Sequence, residues 1–259
     1  MRFEAYIICW NEAAILPFVL DYWLDAGVDK LIVYDNHSTD DTLEILSQHR
    51  DFEIEVRDYD SNGHADDNIY RQIKNNCWKD SKADWVFVGD TDEVPYAPLG
   101  SVKGWLEHKA DDAAVIQPCL YQVVGWEKPG PFLPGFYLHK SDGMRVQQCG
   151  PNKVNLFRPD RVREMNFSLG AHKCDPVFIN PADKVCYRED IAWLHLKNLG
   201  VEYLLERNHA LYDRLPDKVK AEKRIAIHYL PGCDVHNVAR NLADMWAASK
   251  KFYEYPVLL

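Results

Sequence analysis

Short apolar runs alternate with longer amphipathic segments through the first third of the chain. The apolar runs that predict strands are Phe3 to Cys9, Leu31 to Tyr34, Phe52 to Val56 and Trp85 to Val88. The segments between them that predict helices are Glu12 to Asp25, Thr39 to His49 and Asp67 to Asp80. Regular alternation of strand and helix is typical of βαβ units. We therefore predict an α/β fold with a mostly parallel sheet flanked by helices.

The pattern changes after Val115. Glycine and proline recur among aromatic residues over 120–150, which predicts loops and short strands and is typical of a segment that borders a ligand site. Two later segments have helical spacing, Val201 to Leu215 and Val235 to Phe252. No repeat, low-complexity tract or linker interrupts the chain, so we expect one domain over residues 1–259, with a change of character between 115 and 116.

Composition and charge exclude some classes of function and indicate where the protein acts. The net charge of −10 opposes nucleic-acid binding, and the 7 cysteines form no CxxC pair, which is typical of reduced thiols in the cytoplasm. Met1 to Cys9 lacks the features of a signal peptide, and no apolar run is long enough for a membrane span. We therefore expect a cytoplasmic protein without a membrane span, and peripheral membrane association stays open. A diphosphate ligand would need a cation or well-placed basic residues in so acidic a chain.

Polar residues follow three of the predicted strands directly. They are Cys9 to Glu12, Asp35 to Asp41 and Asp90 to Glu93. In an open parallel sheet, ligands bind beyond the carboxyl ends of the strands. Asn11, Asp35 and Asp90 are therefore expected along one edge of the sheet.

Each segment also has a structural interpretation. Ser38 and Asp41 fit a helix capping box, and Asn11 and Glu12 would suit the start of a helix. The acidic segment Asp90 to Glu93 is harder to explain in this way, because it holds three carboxylates at the end of an apolar strand. A divalent cation bound by Asp90 and Asp92 would relieve their repulsion.

The order and spacing of these segments resemble those of GT-A glycosyltransferases, in the family-2-like group that is related to the family 92-like branch. Weaker similarity at Gly170 to His172 and at Leu194 to Lys197 extends the resemblance to about the first 200 residues. Val94 and Pro95 stand where that group usually has a bulky aromatic residue. The resemblance implies a Rossmann-like GT-A fold, with nucleotide sugar bound by residues 1–115 and acceptor by residues 116–259.

The resemblance also implies roles for individual residues. The nucleoside would be bordered by Cys9, Asn11, Glu12, Asp35 and Asn36. The metal and the sugar diphosphate would be held by Asp90, Thr91, Asp92 and His195. A shell of aspartate and histidine suits Mn²⁺ or Mg²⁺.

Further site residues follow from charge and position. Lys153 and Arg71 are candidate contacts of the diphosphate, although solvated surface charge is the default interpretation of both. His172, Asp175 and Asp142 are the candidate catalytic bases, in that order. His172 also competes with His195 for the third place at the metal, and we favour His195 because it follows the apolar residues Ile191 to Leu194 and precedes a predicted helix.

The function expected from these features is metal-dependent transfer of a sugar from a nucleotide diphosphate sugar to an acceptor hydroxyl. The resemblance favours a UDP-sugar, inversion at the anomeric centre and a glycan or lipid-linked acceptor, as in surface polysaccharide or lipopolysaccharide synthesis. Two alternatives stay open. A sugar nucleotidyltransferase usually has a glycine-rich loop after its first strand, where this chain has Cys9 to Glu12. A non-catalytic nucleotide-sugar or glycan-binding protein would have little need of all three acidic residues.

Overall fold

The computed structural model describes residues 1–98, 100–110, 112–127, 144–150, 153–222 and 235–251. The strands in these ranges are β1 (Phe3–Cys9), β2 (Lys30–Asp35), β3 (Glu53–Asp58), β4 (Trp85–Asp90), β5 (Glu93–Tyr96), β6 (Val115–Gly125), β7 (Met144–Gly150), β8 (Leu156–Phe157), β9 (Val162–Glu164), β10 (Val177–Phe178) and β11 (Val185–Leu199). The α-helices are α1 (Leu16–Ala26), α2 (Thr42–Gln48), α3 (Asp67–Asn76), α4 (Val102–His108), α5 (Val201–Asp213), α6 (Asp217–Glu222) and α7 (Val235–Ala248).

One large sheet organises the described residues. Its strand order is β3-β2-β1-β4-β8-β6-β11-β5, and β7 pairs with β6 outside this path. The first four strands are parallel, as are β6 and β11, whereas β5, β7 and β8 are antiparallel to their neighbours. Strands β9 and β10 form a separate antiparallel pair. The predicted α/β fold with a mostly parallel sheet flanked by helices is confirmed.

The centre of the sheet explains the apolar runs of the sequence. All of β1 is buried, since it lies between β2 and β4 and is covered on both faces. Helix α1 packs Trp23 against Phe3 and Phe87, with ring centroids 6.2 and 5.1 Å apart. The helix ends at Gly27, whose φ of 78° is readily adopted by glycine alone. Burial of each large apolar side chain here contributes about 2 kcal/mol to stability.

Several predicted element boundaries were wrong. Helix α1 begins at Leu16 rather than Glu12, because the carbonyl of Glu12 closes a turn with the amides of Ile15 and Leu16. His195 was expected between a strand and a helix, but it lies inside the long strand β11. Helix α7 ends at Ala248, and within 120–150 the chain forms β6 and β7 around the undescribed residues 128–143.

None of the helices in the described ranges combines the length and the apolar composition that crossing a bilayer requires.

Candidate functional site

The carboxyl ends of β1, β2 and β4 meet at one edge of the sheet. Cys9 pairs in register with Asp35 of β2, and Ile8 pairs with Asp90 of β4. The segments that follow these strands therefore begin side by side, and the prediction that Asn11, Asp35 and Asp90 share an edge is confirmed. We call this part of the molecule the carboxyl edge.

Two predicted nucleoside contacts connect the loops of the carboxyl edge. Asn11 has a positive φ of 50°, and its side chain accepts from Thr39 N at 2.7 Å and donates to Thr39 Oγ1 at 3.1 Å. Asp35 is fully buried and accepts from Ser38 N at 2.9 Å and from Ser38 Oγ at 2.5 Å. Asp35 therefore holds Ser38 in place, and Ser38 Oγ accepts from the amide of Asn11 at 2.9 Å, which fixes the loop after β2 against the end of β1.

The expected capping box at the start of α2 is not formed. Ser38 is occupied by Asp35, and Asp41 caps no amide with its side chain. Instead, Asp40 accepts from the amide of Thr42 at 3.0 Å and from the amide of Ala13 at 3.1 Å. The helix terminus is therefore stabilised by contacts within the carboxyl edge rather than by the local motif.

The segment Asp90–Glu93, which we call the acidic turn, has one basic partner for each carboxylate. Lys74 Nζ lies 2.7 Å from Asp90 Oδ1, and Nη2 of Arg207 lies 2.8 Å from Asp92 Oδ2. Lys153 forms an ion pair with Glu93, and both side chains are buried. Pairing of this kind makes three carboxylates in four residues tolerable at the edge of a core.

The backbone of the acidic turn is held closely against β1 and β4. Thr91 donates from its amide and from its hydroxyl to the carbonyl of Ile8, at 3.2 and 2.9 Å. Gly89 leaves no room for a side chain, since a Cβ there would lie 2.6 Å from the ring of Phe87 and 3.2 Å from Glu93 Oε2. Glu93 Oε2 in turn accepts from the amide of Asp90. The sequence Gly89 to Glu93 is therefore fitted to this turn.

Burial and charge oppose each other in the pKa values of the carboxyl edge. Burial alone would raise the pKa of Asp92, but Arg207 and His195 hold it well below its ordinary value. Burial also acts to raise the pKa of Asp90. The positive charges of Lys74 and Lys153 outweigh this effect, so the pKa of Asp90 is lowered as well. Asp90 and Asp92 are therefore ionised at neutral pH.

Glu12 behaves differently. Burial raises its pKa to about 7, an effect that Arg207 opposes and Asp92 reinforces. The Arg207 guanidinium lies 3.5 Å from Glu12 Oε1 and closer to Asp92. Glu12 therefore gains a proton more readily than Asp90 and Asp92 do.

His195 lies at the end of a chain of hydrogen bonds. Asn198 donates to Gln122 Oε1 at 3.0 Å, and Gln122 Nε2 lies 3.0 Å from His195 Nδ1. With the Gln122 amide as donor, the ring carries its proton on Nε2, which lies 3.3 Å from Asp92 Oδ2. If the side-chain amides of Gln122 and Asn198 were both flipped, Gln122 Oε1 would accept a hydrogen bond from His195 Nδ1. The imidazole proton would then lie on Nδ1, and the lone pair of Nε2 would be available to a metal ion.

The chemistry of this donor set fits the divalent cation that the resemblance implies. His195 Nε2 and Asp92 Oδ2 lie 3.3 Å apart, close to the separation of about 3 Å expected of adjacent ligands on an octahedral ion. In the described residues, however, no three His, Cys, Asp or Glu side chains converge as a complete metal site. Water and diphosphate oxygens would therefore have to supply several ligands, as is usual for Mg²⁺.

The remaining predicted substrate contacts are Cys9, Asn36 and Arg71, which differ in burial. Cys9 is buried at the end of β1, and Asn36 is buried and donates to Ser61 Oγ at 2.7 Å. Arg71 is exposed on α3, one turn before Lys74, which reaches Asp90 instead.

The candidate bases are placed unequally. His172 is exposed, and burial of part of its ring, together with Lys153, lowers its pKa. The charge of Glu93 acts in the opposite direction on the pKa of His172, but burial and Lys153 outweigh it. Asp175 is exposed just before β10, and its amide donates to Met165 O at 3.1 Å. Asp142 lies outside the described residues.

Sequence analysis missed three basic residues of the carboxyl edge, Lys74, Arg207 and Arg214. Lys74 is only 3% exposed although it lies on an otherwise polar helix. Arg207 and Arg214 come from α5 and the turn after it, far along the chain from the acidic turn. The unusual burial of a lysine on α3 leaves no local signal, because polar helices normally expose their lysines.

Comparison with known proteins agrees with this geometry. Residues 8–112 match the family model of glycosyltransferase family 92. The match begins in β1, ends after α4 and contains the ends of β1, β2 and β4 together with the acidic turn. This part of the chain is thus like glycosyltransferase family 92, and the resemblance expected from the sequence is confirmed.

Two solved structures are similar to this chain at low identity. HddC from Yersinia pseudotuberculosis is 10% identical, with 60% of this chain and 73% of that chain covered and a TM-score of 0.32. The 4-diphosphocytidyl-2C-methyl-D-erythritol synthase from Anaerococcus prevotii is 12% identical, with 61% and 71% covered and a TM-score of 0.32. Neither likeness bears on function at that similarity. No curated protein matches the chain.

Proposed function

We propose that this protein transfers a sugar from a nucleotide diphosphate sugar, with UDP as the nucleotide, to a hydroxyl of a glycan or lipid-linked acceptor. The observation that carries the proposal is the acidic turn at the carboxyl edge, where every carboxylate has a basic partner. That turn lies within the residues that match glycosyltransferase family 92. Such a site offers both carboxylates for a cation and basic groups for phosphates.

The charge balance of the acidic turn favours joint binding of donor and cation. Its carboxylates are already compensated by Lys74, Arg207 and Lys153, so either an added dianion or an added cation alone would leave uncompensated charge. A nucleotide diphosphate sugar, which is a dianion, and a divalent cation together add almost none. We therefore propose that Mn²⁺ or Mg²⁺ binds with the donor, and that Asp92, Asp90 and His195 are its protein ligands.

The protein side chains have distinct tasks in the proposed reaction. When bound, the cation neutralises charge that develops on the departing diphosphate. Arg207, which also contacts Glu12, would turn from Asp92 towards a phosphate oxygen when the donor binds, and Lys74 and Lys153 would add positive charge nearby.

The proposed base is His172. Its lowered pKa leaves the imidazole neutral at pH 7, which is the form that accepts a proton. The acceptor hydroxyl loses its proton to the ring while its oxygen bonds to the anomeric carbon. The bond from that carbon to the diphosphate oxygen breaks, and the nucleoside diphosphate departs on the opposite face, which inverts the configuration. Asp175 is the second candidate for this role.

Thermal unfolding with ligands tests the joint binding of donor and cation. UDP at 100 times its dissociation constant should stabilise the protein by about 2.7 kcal/mol when Mn²⁺ is present. Neither UDP alone nor Mn²⁺ alone should come close to this effect. Stabilisation by UDP that is equal in EDTA and in Mn²⁺ would contradict the proposed cation.

A further inference from the structure

Arg214 connects the end of α5 to the loops of the carboxyl edge. Its guanidinium carbon lies 3.6 Å from the ring centroid of Trp10, the residue that follows Cys9 of β1. Arg214 Nε donates to Gly63 O at 3.1 Å, and Nη2 donates to His64 O at 3.3 Å. The guanidinium is therefore stacked on an aromatic ring and held by two carbonyl groups of the loop after β3.

One nitrogen of this guanidinium has no partner among the described residues. Arg214 is 8% exposed, and Nη1 is buried without a hydrogen bond to any described residue. Burial of a charged donor without an acceptor is costly, and burial lowers the pKa of Arg214. Since Nε and Nη2 fix the plane of the group, Nη1 presents two N–H bonds in a fixed direction.

The position of Arg214 separates it from the diphosphate end of the site. Trp10 and Gly63 follow β1 and β3, which lie one and three strand spacings from β4, about 5 and 14 Å. Arg214 is therefore placed across the carboxyl edge from the acidic turn, where the nucleoside of a donor would lie.

Other polar side chains in this area are already engaged. Asn11 uses its amide on Thr39, and Asn36 donates to Ser61 Oγ and accepts from Ser61 N at 3.3 Å. Asn36 also donates to His64 O at 3.5 Å, so both of its N–H bonds are used, whereas Asn11 keeps one N–H bond on a part-buried side chain. Of these three side chains, Arg214 is the one that buries a charged donor without an acceptor among the described residues.

We propose that Arg214 Nη1 donates a hydrogen bond to an exocyclic carbonyl oxygen of the donor nucleobase and thereby selects uracil over adenine, which has no carbonyl group. The proposal rests on the use of a nucleotide-linked donor put forward above. A guanidinium held by Trp10 and two backbone carbonyls is a rigid donor. A rigid donor discriminates between uracil, whose acceptors are two exocyclic carbonyl oxygens, and adenine, whose acceptors are ring nitrogens in other positions.

Calorimetric titration of UDP and ADP in Mn²⁺ tests this role, with wild type, Arg214→Met and the control Arg240→Met. The first substitution keeps an apolar stem on Trp10, and the control removes an exposed arginine of α7. Wild type and Arg240→Met should bind UDP at least about 10-fold more tightly than ADP. Arg214→Met should lose UDP affinity by about 10- to 100-fold, the range of one charged hydrogen bond, with little change for ADP.

The ratio of the two affinities separates base selection from a purely structural role of Arg214. If the residue merely held the loops, both nucleotides would lose affinity alike and the preference for UDP would persist, which would overturn the inference alone. Absence of nucleotide binding by the wild-type protein would overturn the proposed function as well.

A second measurement on the wild-type protein does not depend on the folding of any variant. The ligands are 2-thio-UDP and 4-thio-UDP, in which sulfur replaces one carbonyl oxygen of uracil at a time. Because sulfur is a weak acceptor, one of the two analogues should bind about 10-fold more weakly than UDP. Equal binding of all three ligands would overturn the inference.

Discussion

Replacement of Glu12 by glutamine should change how stability depends on pH. The pKa of Glu12 is raised from an ordinary value of 4.5 to about 7, chiefly by burial. A carboxyl group with a raised pKa favours the folded state fully below its unfolded pKa, and this contribution is lost as the pH rises through the folded pKa. The glutamine variant carries no such group, so it should gain stability relative to wild type between about pH 4.5 and pH 7.

The expected size follows from the shift. At about 1.4 kcal/mol for each pKa unit, a rise from 4.5 to about 7 corresponds to an upper limit of about 3.5 kcal/mol. Coupling to Arg207 and Asp92 and the 14% exposure of the Glu12 side chain reduce it, so we expect about 1–2 kcal/mol. The gain refers to the protein without metal or nucleotide.

Urea unfolding at pH 5 and pH 8 in EDTA measures this effect. The control is Glu44→Gln, because Glu44 is an exposed carboxyl group on α2. The difference in unfolding free energy between Glu12→Gln and wild type should increase from pH 5 to pH 8, and the control should show no such increase. A difference that is equal at both pH values, or that decreases, would refute the assigned burial and charge at Glu12.

Further substitutions probe the acidic turn and its neighbours. Asp92→Asn should leave the fold intact but abolish most transfer and the Mn²⁺-dependent stabilisation by UDP, as thermal melts would show. His195→Ala should weaken Mn²⁺-dependent UDP binding in calorimetry, whereas His172→Ala should preserve binding and slow transfer; equal losses would contradict these roles. Lys74→Met should lower the unfolding free energy by about 1–3 kcal/mol, because it leaves the Asp90 carboxylate without its lysine partner. Adding Asp90→Asn to the Lys74→Met variant should restore part of this loss, as measured by urea unfolding. Additive losses in the double variant would contradict that pairing.

The sequence predicts the parallel part of the sheet well. Residues Phe3–Cys9 form β1 as expected, because a strand buried on both faces is mostly apolar; its one charged residue, Glu4, is buried and accepts hydrogen bonds from Arg2, Tyr6 and Ser81. The carboxyl edge follows from the same pattern, since polar residues directly after parallel strands must meet at one end of the sheet. Local patterning therefore leads to Asn11, Asp35 and Asp90 without coordinates.

The environment of His195 could not be predicted in the same way. Apolar and polar residues are mixed through β11, and the expected boundary beside His195 is absent because pairing with β6 and β5 continues the strand on both sides of it. The hydrogen bonds from Asn198 and Gln122 depend on that pairing. They join residues from two strands and have no signature in either strand alone.

The basic partners of the acidic turn were missed for a related reason. Lys74 lies on a helix whose polar composition predicts exposure, and its burial results only from the approach of α3 to the end of β4. Arg207 reaches Glu12 and Asp92 from a helix more than 100 residues further along the chain. Tertiary contacts of this range leave no periodic pattern in a sequence.

The most direct test of the proposed function is the fate of a nucleotide sugar. Purified protein is incubated with Mn²⁺ and a panel of UDP-, GDP- and ADP-sugars, with and without glycan acceptors, and the products are separated by ion-pair chromatography. We predict release of UDP from at least one UDP-sugar, dependent on Mn²⁺ and lost in Asp92→Asn. Consumption of none of the nucleotide sugars, or synthesis of a nucleotide sugar from a sugar phosphate and a nucleoside triphosphate with release of pyrophosphate, would contradict the assignment as a glycosyltransferase.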